Sequence, residues 1–127
     1  MRTFGTFVDG VEHFDAATYD VVHSPFDDAE VSTVAVATAA VMERSIDAAV
    51  QAFSFLRSLP THRRVTILEK IAAGVGSNAE HLARLITSES GKPISQSRSE
   101  VKRCVLTFKL GAMAAVHLGG EELPVDL

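Results

Sequence analysis

The spacing of apolar residues changes near Met42, and this change limits the folds that the chain can adopt. Before Met42, short apolar runs are separated by turn residues, a pattern typical of β-strands. After it, apolar residues recur every three or four positions, which is typical of amphipathic helices. The sequence therefore predicts short strands within residues 3–37, followed by about four α-helices within residues 42–118.

The strand region contains two predicted turns. Asp9-Gly10 separates two short apolar runs and predicts a two-residue hairpin turn, because glycine tolerates the positive φ that such a turn requires. Residues 24–28 (Ser-Pro-Phe-Asp-Asp) supply turn chemistry between strand candidates at Val21-Val22 and Val31–Val36. These short strands have no obvious complete sheet to join.

Residues that start or stop helices divide the remaining sequence. Leu59-Pro60-Thr61 is expected to end the first helix and begin the second, and Asn78 is a predicted N-cap for the third. Gly91 and Pro93 are expected to end the third helix. The fourth is expected to begin within Ile94–Ser97 and to run to about His117. The predicted apolar stripes of the first and last helices are Ile46, Ala49, Val50, Phe53 and Leu56, and Val101, Cys104, Val105, Phe108, Ala112 and Ala115.

Composition narrows the class of protein. A length of 127 residues suits one domain or part of a larger one. A net charge of -4 argues against nucleic acid and anionic membrane surfaces as partners. A single cysteine forms no internal disulfide and fits a reducing cytoplasm. The N-terminus lacks the apolar run of a signal peptide, and the most apolar stretch, Val31–Met42, is too short to span a bilayer. We expect a soluble, cytoplasmic chain.

The segment from Ile86 to Cys104 has two interpretations. It holds a Gly-Lys-Pro step, two carboxylates and the sole cysteine, so Cys104 as nucleophile with Glu89 or Glu100 as base is one interpretation. A nucleophilic cysteine requires a lowered pKa and solvent access. The helical neighbours of Cys104 are mostly apolar, which favours a buried structural thiol in a joint between two helices. Lys92 is expected to pair with Glu89 or Glu100.

Two other motifs suggest sites. Gly74–Ala79 (GVGSNA) matches the letters of the dinucleotide fingerprint G-x-G-x-x-A, and Glu100 lies roughly where the ribose-binding acid would fall. That motif requires a preceding buried strand, whereas the residues before Gly74 have helical spacing, so a helix end is the preferred interpretation. The acidic turn Asp27-Asp28-Glu30 lacks the glycine and spacing of a calcium loop.

The histidines do not indicate a metal centre. None of them has paired spacing such as H-x-x-x-H or a neighbouring cysteine, whereas metal sites need several converging donors. The five are His13, His23, His62, His81 and His117. The sequence therefore predicts no catalytic, cofactor-binding or metal-ligating residue.

Taken in order, the segments resemble the N-terminal part of the NAD(P)-dependent aldehyde dehydrogenase superfamily. The most specific stretch is NAEHLARLITSESGKPISQSRSEV, which carries that family's E-x-G-K-P step. In VVHSPFDDAEVSTVAVAT, Ser24 replaces the usual asparagine of the strand–turn–strand segment. The other matching stretches are SIDAAVQAF, LPTHRRVTILEKIAAGV, with Arg63 or Arg64 as its leading arginine, and GGEELPVD. The resemblance covers nearly the entire chain.

The resemblance implies an α/β fold and an enzyme that oxidises an aldehyde to a carboxylic acid, with NAD or NADP accepting the hydride. In that family the catalytic cysteine, its general-base glutamate, the oxyanion-hole asparagine and the Gly-rich cofactor segment belong to later parts of the chain. The Arg-Cys-Val surroundings of Cys104 do not match the nucleophile. No functional residue of the family is therefore placed on this sequence.

The resemblance further implies that residues 1–127 form an N-terminal segment without the catalytic domain and most of the cofactor domain. Such a segment is expected to be structural, to bind no cofactor and to be inactive alone. Its expected partners are the remainder of the chain or sister subunits, in a homo-oligomer when full length. Its last helix and its Pro-Val-Asp exit are similar to members acting on small polar aldehydes, such as lactaldehyde or semialdehydes. The alternative is a stand-alone α+β interaction module without catalytic activity.

Overall fold

The computed structural model describes residues 2–120 and places five short strands before four helices. The strands are β1 (Arg2–Phe4), β2 (Thr6–Val8), β3 (Val11–His13), β4 (Tyr19–His23) and β5 (Glu30–Ala35). The helices are α1 (Ala39–Ser58), α2 (Thr61–Ser77), α3 (Ala79–Ser90) and α4 (Ile94–Val116). This order confirms the predicted change from strands to helices. The expected extended exit at residues 121–127 lies outside the described part of the chain.

The predicted Asp9-Gly10 hairpin is confirmed. Strands β2 and β3 pair antiparallel, with Val8 opposite Val11. Asp9 has φ 51° and Gly10 has φ 77°, so both central residues adopt the positive φ of a type I′ turn. The twist of this turn matches that of the flanking strands, which explains why two residues suffice.

The other three strands form a mixed sheet in the order β1-β5-β4. Strand β4 pairs antiparallel with β5, and the turn between them is closed by the Asp28 amide, which donates to the Ser24 carbonyl at 2.9 Å. Strand β1 pairs parallel with β5, with Arg2 opposite Ser32. The strands for which the sequence showed no complete sheet therefore pair with residues 2–4 near the start of the chain.

Helix α1 begins at Ala39, three residues before the expected start at Met42. The Thr38 hydroxyl accepts a hydrogen bond from the Val41 amide at 3.3 Å, so Thr38 is the N-cap. The helix ends at Ser58, immediately before the Leu59-Pro60 step, as predicted.

The main helix contact joins α2 to α4, and α3 packs beside α4. Small side chains dominate this core: Ala72, Ala83, Ala112 and Ala115 are buried, together with Val101. Small residues at facing positions let helices approach closely, and the predicted stripe of α4 supplies three of these five. Within residues 2–120, none of the helices combines the length and apolarity needed to cross a bilayer.

Asn78 does not act as the predicted side-chain cap. Helix α3 begins directly after Asn78, but the Asn78 amide group donates backward to the Gly74 carbonyl of α2 at 2.9 Å. The physical reason is that only one residue separates α2 from α3. Asn78 therefore has φ −105° and ψ 14°, close to helical values, instead of the extended backbone that lets a cap side chain reach forward.

Candidate functional site

The joint between α3 and α4 lies within Ile86–Cys104, the segment that the sequence allowed to be either a reaction centre or a connection between two helices. Helix α3 ends at Gly91, whose left-handed φ of 68° confirms the predicted helix stop, and the Gly91 amide donates to the Thr87 carbonyl at 2.9 Å. Pro25 of the β4–β5 turn packs so closely that a Cβ on Gly91 would lie 2.9 Å from the Pro25 Cγ. The joint therefore touches the sheet region as well as both helices.

A buried hydroxyl pair lies behind this joint. Ser97, in the first turn of α4, has 0% exposure, and its Oγ lies 2.9 Å from the Thr87 Oγ1. One of the two hydroxyls donates to the other, so neither polar group is left without a partner in the packed interface. This contact is suited to holding α3 against α4.

Lys92 pairs with Glu100, which confirms one of the two expected partners. The Lys92 ammonium donates to a Glu100 carboxylate oxygen and holds the pKa of Glu100 below its usual range. A carboxylate stabilised as an anion in this way is a weak proton acceptor at neutral pH. Glu89, the other candidate base, lies exposed in the last turn of α3.

Cys104 is half-buried on α4, on the side that carries the buried Val101. Among the described residues, no hydrogen bond joins Cys104 to a histidine or a carboxylate. An activated thiol needs such a base or a nearby cation. The geometry therefore favours the joint interpretation, and the assignment of Cys104 as a structural thiol stays a prediction.

The Gly74–Ala79 motif lies across the end of α2 and the start of α3. Residues 61–77 before and within the motif are helical, so no strand feeds into it. A dinucleotide fingerprint works by placing a strand–turn–helix around the pyrophosphate. This motif has the letters of that fingerprint without its structure.

A charged cluster between α3 and α4 was not predicted from the sequence. Arg98 donates twice to the Glu80 carboxylate, through Nε and Nη2, each at 2.9 Å. Arg84 donates to the same carboxylate at 3.0 Å. The hydrogen bonds from Arg98 are the main reason that the pKa of Glu80 falls to about 2. The Glu80–Arg84 spacing is visible in the sequence, whereas Arg98 reaches Glu80 only through helix packing.

The described residues 2–120 contain no group of three or more histidine, cysteine, aspartate or glutamate side chains that could hold a metal ion.

Helix α4 is apolar on two sides. One side carries the buried Val101, Ala112 and Ala115, and the other carries Leu106 and Leu110, which are 54% and 53% exposed. Met113 continues this second side and is also exposed. A helix with apolar residues on both sides is typical of an element covered on both sides. We call Leu106, Leu110 and Met113 the outer face of α4.

Helix α1 presents a second exposed apolar face. Its predicted stripe exists, but Ile46, Val50 and Phe53 are 56%, 65% and 61% exposed. Met42 lies one turn before Ile46 on the same side and is exposed too. We call Met42, Ile46, Val50 and Phe53 the outer face of α1.

An open cleft of about 590 Å³ runs between α2 and α4. Its lining is mostly small and apolar, including Ala72, Gly76 and Ala112, with Glu69 and Lys109 as the charged members. A volume of this size is within the range of ligand pockets. The side chains that line it include no cysteine, serine or histidine, so they suit packing more than nucleophilic catalysis.

The model of the aldehyde dehydrogenase family matches residues 13–127. The chain belongs to the aldehyde dehydrogenase family. The resemblance given by the E-x-G-K-P step and the surrounding segments is thereby confirmed, together with the α/β fold that it implied.

Relatives and solved structures in this family are much longer. Aspartate-semialdehyde dehydrogenase 1 from Pseudomonas canavaninivorans is 40% identical over 105 residues, which are 83% of this chain and 22% of that protein. Aldehyde dehydrogenase 21 from Physcomitrella patens, solved with the reaction product succinate, aligns with TM-score 0.93 and 29% identity over 99% of this chain and 26% of that one.

An NAD-dependent aldehyde dehydrogenase from Sinorhizobium meliloti aligns with TM-score 0.87 and 28% identity over 94% of this chain and 24% of that one. The chain thus spans about a quarter or less of the length of these aldehyde dehydrogenases.

Proposed function

We propose that this chain is the N-terminal segment of an NAD(P)-dependent aldehyde dehydrogenase and acts as a scaffold for the cofactor domain and for subunit packing. One observation carries the proposal: the outer faces of α1 and α4 are exposed in a family member that spans about a quarter of its relatives. Exposed apolar faces of this extent are typical of surfaces that other polypeptide covers.

In this proposal the segment is inactive alone. The complete enzyme oxidises an aldehyde to a carboxylic acid, and its nicotinamide cofactor accepts the hydride. The proposal assigns no cofactor binding to residues 2–120, and the position of the Gly74–Ala79 motif across a helix end supports this. The contribution of the segment is structural, because the Glu80–Arg98 and Thr87–Ser97 contacts hold α3 against α4.

The substrate of the complete enzyme is proposed to be a small polar aldehyde, with a semialdehyde favoured. Two similar proteins support this class: one is an aspartate-semialdehyde dehydrogenase, and the other was solved with the dicarboxylate succinate as product. NAD is the favoured cofactor, since a similar structure is that of an NAD-dependent enzyme. A cytoplasmic homo-oligomer is the proposed setting. The stand-alone interaction module is not favoured, because the family match extends over residues 13–127.

A chimera tests the proposed function. Residues 13–127 of this chain replace the matching segment of the Pseudomonas aspartate-semialdehyde dehydrogenase, and the reduction of NAD and of NADP is measured with aspartate semialdehyde. We expect the chimera to be active and the purified 127-residue chain to reduce neither cofactor. Reduction of NAD or NADP by the 127-residue chain alone, or a soluble and folded chimera without activity, would contradict the proposal.

A further inference from the structure

We propose that α1 is a docking helix that becomes stably ordered only when its outer face is covered by the polypeptide that completes the dehydrogenase. The inference rests on the proposed function, because it takes that polypeptide as the occupant. It goes further in two ways. It names the outer face of α1 as the docking surface, and it states that docking increases the order of α1.

Burial is the first step of the argument. Helix α1 has 20 residues, and Val41 is the only one of them that is buried. Helix α4, with 23 residues, buries Ser97, Val101, Ala112 and Ala115. In proteins most helix stability comes from packing an apolar face against other elements. Helix α1 as described lacks that packing.

The contacts of α1 with the sheet region are small. The side facing the β2–β3 hairpin carries Ser45, Ala48 and Ala52, which line a shallow cleft of about 250 Å³ with Phe7 and Val8. Hydrophobic stabilisation scales with the apolar area removed from water, and alanine side chains supply little of it.

The polar links of α1 are equally modest. Arg44 donates to Asp15 at 2.6 Å, but both side chains are about half exposed, so solvent screens the pair. The Thr38 cap adds one hydrogen bond at the start of the helix. These links fix where α1 begins without covering its apolar side.

The occupant is inferred from the chemistry of the face and from the greater length of a solved relative. The outer face of α1 is apolar along its length, which fits an apolar groove and not a charged polymer. The backbone of this chain, α1 included, aligns at TM-score 0.93 with a segment that is 26% of the Physcomitrella aldehyde dehydrogenase. The rest of that dehydrogenase chain is therefore the polypeptide available to cover this face.

Hydrogen exchange measures the coupling directly. In the full 127-residue chain, we expect amides of α1 to exchange at least about tenfold faster than core amides of α4, because locally unpacked helices open more often. In the chimera described above, amides of α1 should slow by at least about tenfold, while those of α4 change less. Equal protection of α1 in both proteins would overturn the inference.

A pair of adjacent substitutions tests the face. Val50 lies on the outer face of α1, and its neighbour Gln51 lies on the polar side. In the chimera, Val50→Glu should lower activity and α1 protection about tenfold or more, whereas Gln51→Glu should match the unmodified chimera. In the 127-residue chain alone, both variants should unfold at the wild-type temperature, because neither side chain is packed there.

The outcomes separate this inference from the proposed function. An active chimera in which Val50→Glu behaves like Gln51→Glu would overturn the docking face while leaving the proposed function intact. A folded but inactive chimera that still protects α1, and loses that protection with Val50→Glu, would support docking while contradicting the proposed function.

Discussion

At the scale of single residues, Gly91 is the position at which the structure allows the fewest alternatives. Its φ of 68° lies in the left-handed region, where a Cβ is unfavourable. Space is also lacking, since that Cβ would lie 2.9 Å from the Pro25 Cγ. One glycine therefore ends α3, directs the chain into α4 and admits the β4–β5 turn.

We predict that Gly91→Ala lowers the free energy of unfolding by about 1–3 kcal/mol, because it adds left-handed strain and a steric clash. Urea denaturation of the full chain measures this. Gly74→Ala is the matched control: Gly74 is inside α2 with open space around its Cβ position, so this variant should gain up to about 1 kcal/mol. Wild-type stability for Gly91→Ala would contradict the prediction.

Residue-level predictions from the sequence succeeded where the deciding contact is local. Gly91, followed closely by Pro93, indicates a helix stop, and Asp9-Gly10 indicates a hairpin, because each geometry is set within a few residues. The cap assigned to Asn78 was wrong because its outcome depends on how few residues separate α2 from α3.

At the scale of elements, the Glu80–Arg98 pair joins the first turn of α3 to the first half of α4. Both carboxylate oxygens accept from one guanidinium at 2.9 Å, a bidentate geometry that fixes orientation as well as distance. Arg84, one turn further along α3, supports the same carboxylate. The pair is about half exposed, so added salt should weaken it.

The stability contributed by Glu80 should depend on pH. Its folded-state pKa is about 2, below the ordinary value of 4.5, so the contribution is present above pH 4.5. It is lost as the pH falls from 4.5 through about 2, because the unfolded state takes up the proton first.

The test compares wild type with Glu80→Gln in denaturant titrations across this pH range. The stability difference should shrink toward low pH, and Glu89→Gln, at an exposed glutamate of the same helix, is the matched control. A wild-type advantage over Glu80→Gln that stays constant from neutral pH to pH 2 would refute the role of the pair.

The helices were predictable as elements because their apolar periodicity and the helix-ending residues Pro60 and Gly91 are determined by residues close together in the sequence. The parallel pairing of β1 with β5 was not, since it joins Arg2 to Ser32 across the intervening hairpin. The early start of α1 could have been found from Thr38, because threonine is a favourable N-cap residue. Its hydroxyl accepts a hydrogen bond from the Val41 amide three positions later.

At the scale of the whole molecule, the packed unit of α2, α3 and α4 and the separate helix α1 each carry an apolar face that nothing in residues 2–120 covers. Exposed faces of this kind favour association. The stripe of α1 was predicted from the sequence. The outer face of α4 was not, although Leu106, Leu110 and Met113 recur at helical spacing. The reason is that the other side of α4 already gives a complete stripe.

We predict that the purified chain self-associates with rising concentration and that Leu110→Gln weakens this association severalfold, because it makes the outer face of α4 polar. Analytical ultracentrifugation measures the effect. Thr107→Gln, also exposed on α4 but off this face, should associate like wild type. Equal association constants for the two variants would show that the outer face of α4 is not the contact.

The mixed sheet has one further consequence. In the described part of the chain β4 (Tyr19–His23) pairs only with β5, so β4 is an edge strand. The main-chain amides and carbonyls on its open edge can form hydrogen bonds with an additional strand. Such a strand can join there without displacing β5. The molecule can therefore contact further polypeptide in two independent ways. Apolar side chains of its helices can be buried, and main-chain hydrogen bonds can add a strand to its sheet.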